Sequence, residues 1–211
     1  MYVKPHRVYH LPWSNPSTDD KVNKDLETLK SEPIVVTVKM DGSNISMYRD
    51  HIHCRSLDLA TGPEYAAIKS IHAKIAYDIP ENWRICGENL FCKHSIHYHN
   101  LPSYFMIFGV WNEKNECLSW NETEEWAALL GRITVPVLYK GIWDEDKIKS
   151  LYQPMFKGDE MEGYVVRVAR KFLYEESQKS IAKYVRMGHN IIHGKLEMIQ
   201  NELCPGIGFL E

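Results

Sequence analysis

The run Ile34-Val35-Val36-Thr37-Val38-Lys39-Met40 constrains this chain more than any other stretch. Five consecutive β-branched residues are poor helix formers and pack well on a pleated surface, so they predict a buried strand. Pro33 sets its start, and Asp41-Gly42 predicts a hairpin turn into a second strand over residues 44–49. Lys39 is the odd member, because an ammonium at the end of a buried strand must either snorkel to water or be held beside an acid. A K-x-D-G tetrad arises by chance in about one chain in twenty of this length. Its neighbours decide what it means.

At 211 residues the chain is sized for one domain, and 44% hydrophobic with 25% charged residues is an ordinary globular composition. No apolar run approaches the roughly 20 residues of a membrane span, and residues 1–30 carry charges and prolines in place of a signal-peptide core, so a cytoplasmic setting is expected. Five cysteines, none in a C-x-x-C pair, argue against a disulfide framework and a zinc knuckle. The net charge of −3 excludes a generally basic nucleic-acid binder, yet residues 163–195 hold seven Lys/Arg against two Asp/Glu. A polyanion would have to be met locally.

Helical spacing of Val22, Leu26 and Leu29 predicts a helix over residues 18–29. A third strand is expected over 51–56. A helix follows with Pro63 in its first turn and Ile68, Ile71 and Ile75 on one face. Residues 84–92 and 104–111 read as strands, followed by a helix capped at Asn121 with Glu124 in capping-box position and stopped by Gly131. Residues 135–140, 163–169 and 181–185 read as strands, Asp144 as the cap of a helix, and residues 190–200 as a last helix. Hairpins in series with helices between them predict an α+β domain. It divides into an N-terminal segment and helix (1–32), a core (33–186) and a C-terminal helix and tail (187–211).

Four further motifs fall on predicted strands: Gly87-Glu88-Asn89-Leu90, Tyr104-Phe105-Met106-Ile107-Phe108-Gly109-Val110-Trp111, Glu162-Gly163-Tyr164-Val165-Val166-Arg167 and Ala182-Lys183-Tyr184-Val185-Arg186. With Lys39-Met40-Asp41-Gly42, and in this order, they resemble the covalent nucleotidyltransferase superfamily. Within it, His10-Leu11-Pro12-Trp13-Ser14, Lys93-His94-Ser95-Ile96 and Leu101-Pro102-Ser103-Tyr104-Phe105 are similar to the ATP-dependent RNA ligases of phage and bacterial type. The likeness spans about residues 10–189. It implies a nucleotidyltransferase (adenylation) domain of antiparallel sheets flanked by helices. With 25 residues after Arg186, an oligonucleotide-binding barrel is not expected.

The resemblance also implies a reaction. ATP donates AMP to Lys39, AMP passes to an RNA 5′-phosphate, and a 3′-hydroxyl displaces it. A lysine attacks only when neutral, so its ordinary pKa of about 10.4 is expected to fall through burial or nearby cations. Lys183 would supply such a cation and neutralise the α-phosphate. Asp41 and Glu162 are the oxygen donors suited to Mg²⁺ or Mn²⁺, through water. By resemblance Glu88 accepts from the ribose, Phe108 stacks on adenine, and Arg55 meets the nucleotide or the RNA end. Asn44 and His94 are further RNA-binding candidates. Val38, Gly109 and Val185 stand where many relatives carry an acid, an acid and a second lysine.

The expected partners are RNA ends, as nicked duplex or single strand, together with ATP. An end-healing kinase or phosphatase would accompany an RNA-repair role, in a bacterium or a phage-infected cell. The competing readings are a minimal DNA ligase or other polynucleotide nucleotidyltransferase, and a non-catalytic nucleotide- or RNA-binding relative. His97 and His99 would share one face of a strand. A zinc reading is disfavoured because no second ligand cluster has recognisable spacing.

Overall fold

The computed structural model describes residues 2–17, 20–188 and 198–207. Along the chain come β1 (Tyr9–His10), α1 (Glu27–Ser31), β2 (Ile34–Lys39), β3 (Ser43–Met47), β4 (Ile52–Cys54) and α2 (Ala66–Ile75). Then follow β5 (Arg84–Asn89), β6 (Phe105–Trp111), β7 (Glu116–Cys117), α3 (Trp120–Leu129), β8 (Ile133–Thr134), β9 (Val137–Gly141) and α4 (Glu145–Ser150). The last are β10 (Met155–Phe156), β11 (Asp159–Glu160), β12 (Gly163–Val168), β13 (Phe172–Leu173), α5 (Ser177–Ser180) and β14 (Ile181–Val185). This is the expected α+β class, and the described residues contain no closed barrel.

Two sheets make the body. The first runs β1-β14-β12-β2-β9; the second runs β13-β7-β6-β5-β3-β4, with β8 added beside β6. The β-branched run of β2 is central to the first, between β12 and β9. Ile34, Val35, Val36 and Val38 are all buried, which is what an uninterrupted apolar strand requires. One core lies between the sheets, joining Ile34, Val36, Val166 and Val168 to Met106, Trp120 and Phe172. A second lies under the helices, where Ile68, Ile71 and Ile75 of α2 and Ala127 of α3 meet Ile45, Ile85 and Phe105.

The Asp41-Gly42 hairpin is not formed, since β2 belongs to the first sheet and β3 to the second. The dipeptide is a crossing between sheets. Gly42 serves clearance: a Cβ there would lie 2.2 Å from the Asn89 carbonyl oxygen and 3.0 Å from Glu88 Cγ. Gly42→Ala is therefore expected to cost about 1–3 kcal/mol through overpacking. In a thermal melt this is a Tm fall of roughly 3–10 °C, and an unchanged Tm would contradict the close approach.

Three other expectations are corrected. Of the helix expected over residues 18–29, residues 18–19 lie outside the described residues and 20–26 are not helical, because residues 21–23 pair with β1 instead: His10 N–H donates to the Lys21 carbonyl at 2.8 Å and Asn23 N–H to the His10 carbonyl at 2.7 Å. Tertiary pairing overrides the helical spacing. The cap of α3 is Ser119, with Glu122 closing the capping box, two residues before the Asn121 and Glu124 pair. His97 and His99 lie in irregular chain, not on a strand. The helix expected over 190–200 falls mostly outside the described residues, and residues 198–200, which are described, are not helical.

Candidate active site

Lys39 closes β2, and its ammonium donates to Glu162 Oε2 at 2.6 Å. Glu162 directly precedes β12, whose Gly163 faces Lys39 across the ladder. That glycine is also a clearance residue, since a Cβ on it would lie 2.0 Å from the Tyr184 carbonyl oxygen. Burial pushes the Lys39 pKa down, but Glu162, Glu88 and Asp41 outweigh it and hold the amine above the ordinary lysine value. This is opposite to the direction expected from sequence. Three carboxylates converge on one ammonium, a gathering that residue spacing does not reveal.

Glu88 sits on β5 opposite Asn44 of β3. Burial drives its pKa up, Lys39 opposes this, and Glu162 and Asp41 add to it, leaving it pushed up to about 8. The linkage sign follows. A carboxyl raised from 4.5 to about 8 contributes stability below pH 4.5 that is lost as pH rises through about 8. Glu88→Gln should thus melt increasingly above the wild type between pH 5 and 8, by on the order of 10 °C at the upper end. Parallel Tm-versus-pH curves for the two proteins would refute the shift.

Asp41 is a brace. Its Oδ2 accepts from Ser95 N–H at 2.8 Å, Ser95 Oγ at 2.9 Å and Ile96 N–H at 2.7 Å, while its own N–H donates to Tyr98 Oη at 2.9 Å. These bonds fix the stretch 94–96 beside the lysine, and with it His94, whose pKa is lowered mainly by burial.

Lys183 lies on β14 opposite Val165, and Val165 lies opposite Thr37 on β2. The period-two alternation of strands therefore places Lys183 and Lys39 on one face, two strands apart and one pleat offset. Burial lowers the Lys183 pKa; Asp20 raises it, and Lys39 and Arg55 lower it further. Lys183 Nζ is 3.7 Å from Asp20 Oδ1, while Arg7 and His10 approach the same carboxylate at 3.2 Å. Burial raises Asp20, but bonds from Ser17 and the charges of Lys183 and His10 bring it to about 2. His10 moves down to about 4, chiefly through burial and then through Lys183. Neither His10 nor Asp20 was singled out from sequence for this site, because the pairing of β1 with β14 is what delivers them.

Phe108 is the extra residue of a bulge on β6. Gly87 pairs with Ile107 and Cys86 with Gly109, so Phe108 has no partner opposite it. Arg55 follows β4 and is exposed, and the Asn44 Oδ1 is buried with no hydrogen-bond partner among the described residues. All nine residues anticipated from sequence (Lys39, Asp41, Asn44, Arg55, Glu88, His94, Phe108, Glu162 and Lys183) line one cleft of about 650 Å³. That volume suits a nucleotide-sized ligand.

The two-sheet body with a cleft between its sheets is the fold of solved RNA ligases. Residues 32–185 match the family model described as RNA ligase, and the chain belongs to that family. A mutant of the Naegleria gruberi RNA ligase with ATP and Mn is similar at 20% identity and a TM-score of 0.58, over 85% of this chain and 58% of that one. The same ligase with PPi gives 20% identity and a TM-score of 0.56, over 86% and 58%. An archaeal ATP-dependent RNA ligase gives 15% and 0.51, over 75% and 44%. The chain thus spans under two thirds of the solved chains it resembles, and at these identities the likeness establishes the fold. No curated protein matches it by sequence. Among the described residues no helix is long and apolar enough to cross a membrane.

Proposed function

We propose that this chain is an ATP-dependent RNA ligase working through a lysyl-AMP intermediate on Lys39, with residues 33–186 as its catalytic unit. The observation that carries the reading is Lys39 itself, half-buried at a strand end, paired with Glu162 and sharing its cleft with a second lysine in an RNA ligase family fold. In the first step the neutral amine attacks the α-phosphorus of ATP. A P–N bond forms, the bond to pyrophosphate breaks, and the amine sheds its proton. An oxygen of an RNA 5′-phosphate then takes AMP from the lysine, breaking the P–N bond. Finally a 3′-hydroxyl attacks that phosphate, forming the phosphodiester and releasing AMP.

Lys183 faces the charge that builds on the α-phosphate, Glu88 accepts from the ribose hydroxyls, and Phe108 offers a stacking face for adenine. Arg55, Asn44 and His94 lie where an RNA end would enter, and the orphaned Asn44 Oδ1 is an acceptor ready for a donor. Glu162 and Asp41 are the carboxylates of the cleft whose oxygens suit a divalent cation. Glu162 would hold it, with Asp41 reaching it through water. Bound Mg²⁺ or Mn²⁺ neutralises phosphate charge.

We place the reaction in RNA repair, where a kinase or phosphatase supplies the 5′-phosphate and 3′-hydroxyl that the last step consumes. Nicked RNA duplex, single-stranded RNA and nicked DNA duplex, offered in parallel with ATP and Mg²⁺, separate the substrates. Sealing of an RNA end supports the proposal. Sealing of nicked DNA alone overturns it.

A further inference from the structure

We propose that His97, His99 and Glu202 form a binding site for a divalent transition-metal ion of the zinc type, clamping the C-terminal segment 198–207 to the loop that braces Asp41. One ligand atom from each of the three lies within 4.8 Å of the other two. His99 Nδ1 is 3.3 Å from Glu202 Oε1. Metal–ligand bonds of about 2.0–2.1 Å at tetrahedral angles put neighbouring donor atoms about 3.3–3.4 Å apart, so this pair already stands at the edge length of a site. The two imidazole rings are 4.4 Å apart between centroids. His97 Nε2 is 3.2 Å from the Gln200 carbonyl oxygen, the kind of backbone partner that orients a ligating imidazole through its second nitrogen.

The backbone holds these side chains in place from both segments. Glu202 N–H donates to the Tyr98 carbonyl at 2.9 Å and Leu101 N–H to the Glu202 carbonyl at 3.0 Å. Tyr98 N–H donates to Asn201 Oδ1 at 2.9 Å, and His99 N–H to Asp159 Oδ1 at 2.9 Å. The backbone is thus set on both segments, and binding has only to draw the side-chain donors together from within 4.8 Å. Two imidazoles and one carboxylate suit zinc, cobalt or nickel, with water completing the shell, whereas Mg²⁺ prefers oxygen donors alone. The third ligand escaped the sequence reading because it lies over 100 residues from the histidines and has no spacing signature.

The consequence is structural. Ser95 and Ile96, which hold Asp41, sit just before His97 on the same loop. A metal bridging this loop to segment 198–207 favours the braced arrangement by mass action.

The experiment uses the full chain stripped of metal by a chelator and titrated with Zn²⁺ alone, without ATP. The wild type should bind one equivalent that His97→Ala/His99→Ala lacks, with affinity at that site falling at least about 100-fold. Glu202→Gln should weaken the same equivalent while leaving the melt unchanged. Zn²⁺ should also slow hydrogen exchange at the Leu101 and Glu202 amides in the wild type only, and excess Mg²⁺ should not displace it. Equal Zn²⁺ stoichiometry and affinity in wild type and double variant would overturn the proposal, as would wild-type exchange rates indifferent to Zn²⁺.

Discussion

Lys39→Arg is expected to keep the fold and lose all covalent labelling by ATP carrying an α-phosphate label. The guanidinium preserves the positive charge that Glu162 accepts from at 2.6 Å and that offsets Glu88 and Asp41. It stays protonated at any accessible pH, so it has no lone pair with which to attack phosphorus. Lys39→Ala should lose the label as well. It also strands three acids around an empty position, at about 3–5 kcal/mol for a broken buried pair, and its Tm should fall accordingly. Comparing the two variants separates a missing nucleophile from a damaged fold. A label surviving denaturation in either variant would move the nucleophile elsewhere.

The wild-type labelling rate should climb with pH, since the acids hold the Lys39 amine above its ordinary value and only its neutral form attacks. Cation binding at Glu162 removes one of the charges that keep the amine protonated, so the same rate should rise with Mg²⁺ or Mn²⁺ at fixed pH.

The second large effect is at Lys183. Lys183→Gln should slow formation of the labelled protein about 10²–10³-fold, the usual consequence of deleting one electrostatic contact to a developing charge. Lys183→Arg should recover part of that loss. Because burial, Lys39 and Arg55 hold the Lys183 pKa below that of a free lysine, its charge is the first of the two to be lost on the alkaline side. The wild-type rate should accordingly pass through a maximum and decline, and the decline should be missing from Lys183→Gln. Rapid-quench measurement of label at saturating ATP reads both effects. A rate in Lys183→Gln within twofold of the wild type would remove this residue from the chemistry.

The strands β2, β12 and β14 were legible because apolar and β-branched residues dominate them, and α4 because Asp144 is a proper cap. The two-residue strands β1, β7, β8, β10, β11 and β13 were not, since pairs that short exist only where a neighbouring strand supplies the ladder. The division into two sheets was equally hidden: an Asp-Gly dipeptide encodes a change of direction, and only the close approach of the Asn89 carbonyl explains why the glycine is needed. For the site, residue types in motif order picked out nine residues that the fold brings to one cleft. Their electrostatics were hidden, because the sign of the Lys39 shift depends on how many acids meet it. His10 and Asp20 came from a pairing too short to see.

The bulge on β6 sets Phe108, the proposed stacking face, apart from the ladder that carries it. Removing residue 108 in frame would leave Gly87 opposite Ile107 and Cys86 opposite Gly109 as consecutive rungs of a regular ladder. Removing a residue of β6 away from the bulge would turn part of the strand over, driving core side chains outward. A chain of this kind can therefore gain or lose its proposed aromatic platform by a one-codon change in length. Elsewhere along the same strand, a change in length disrupts the fold before it reaches the chemistry.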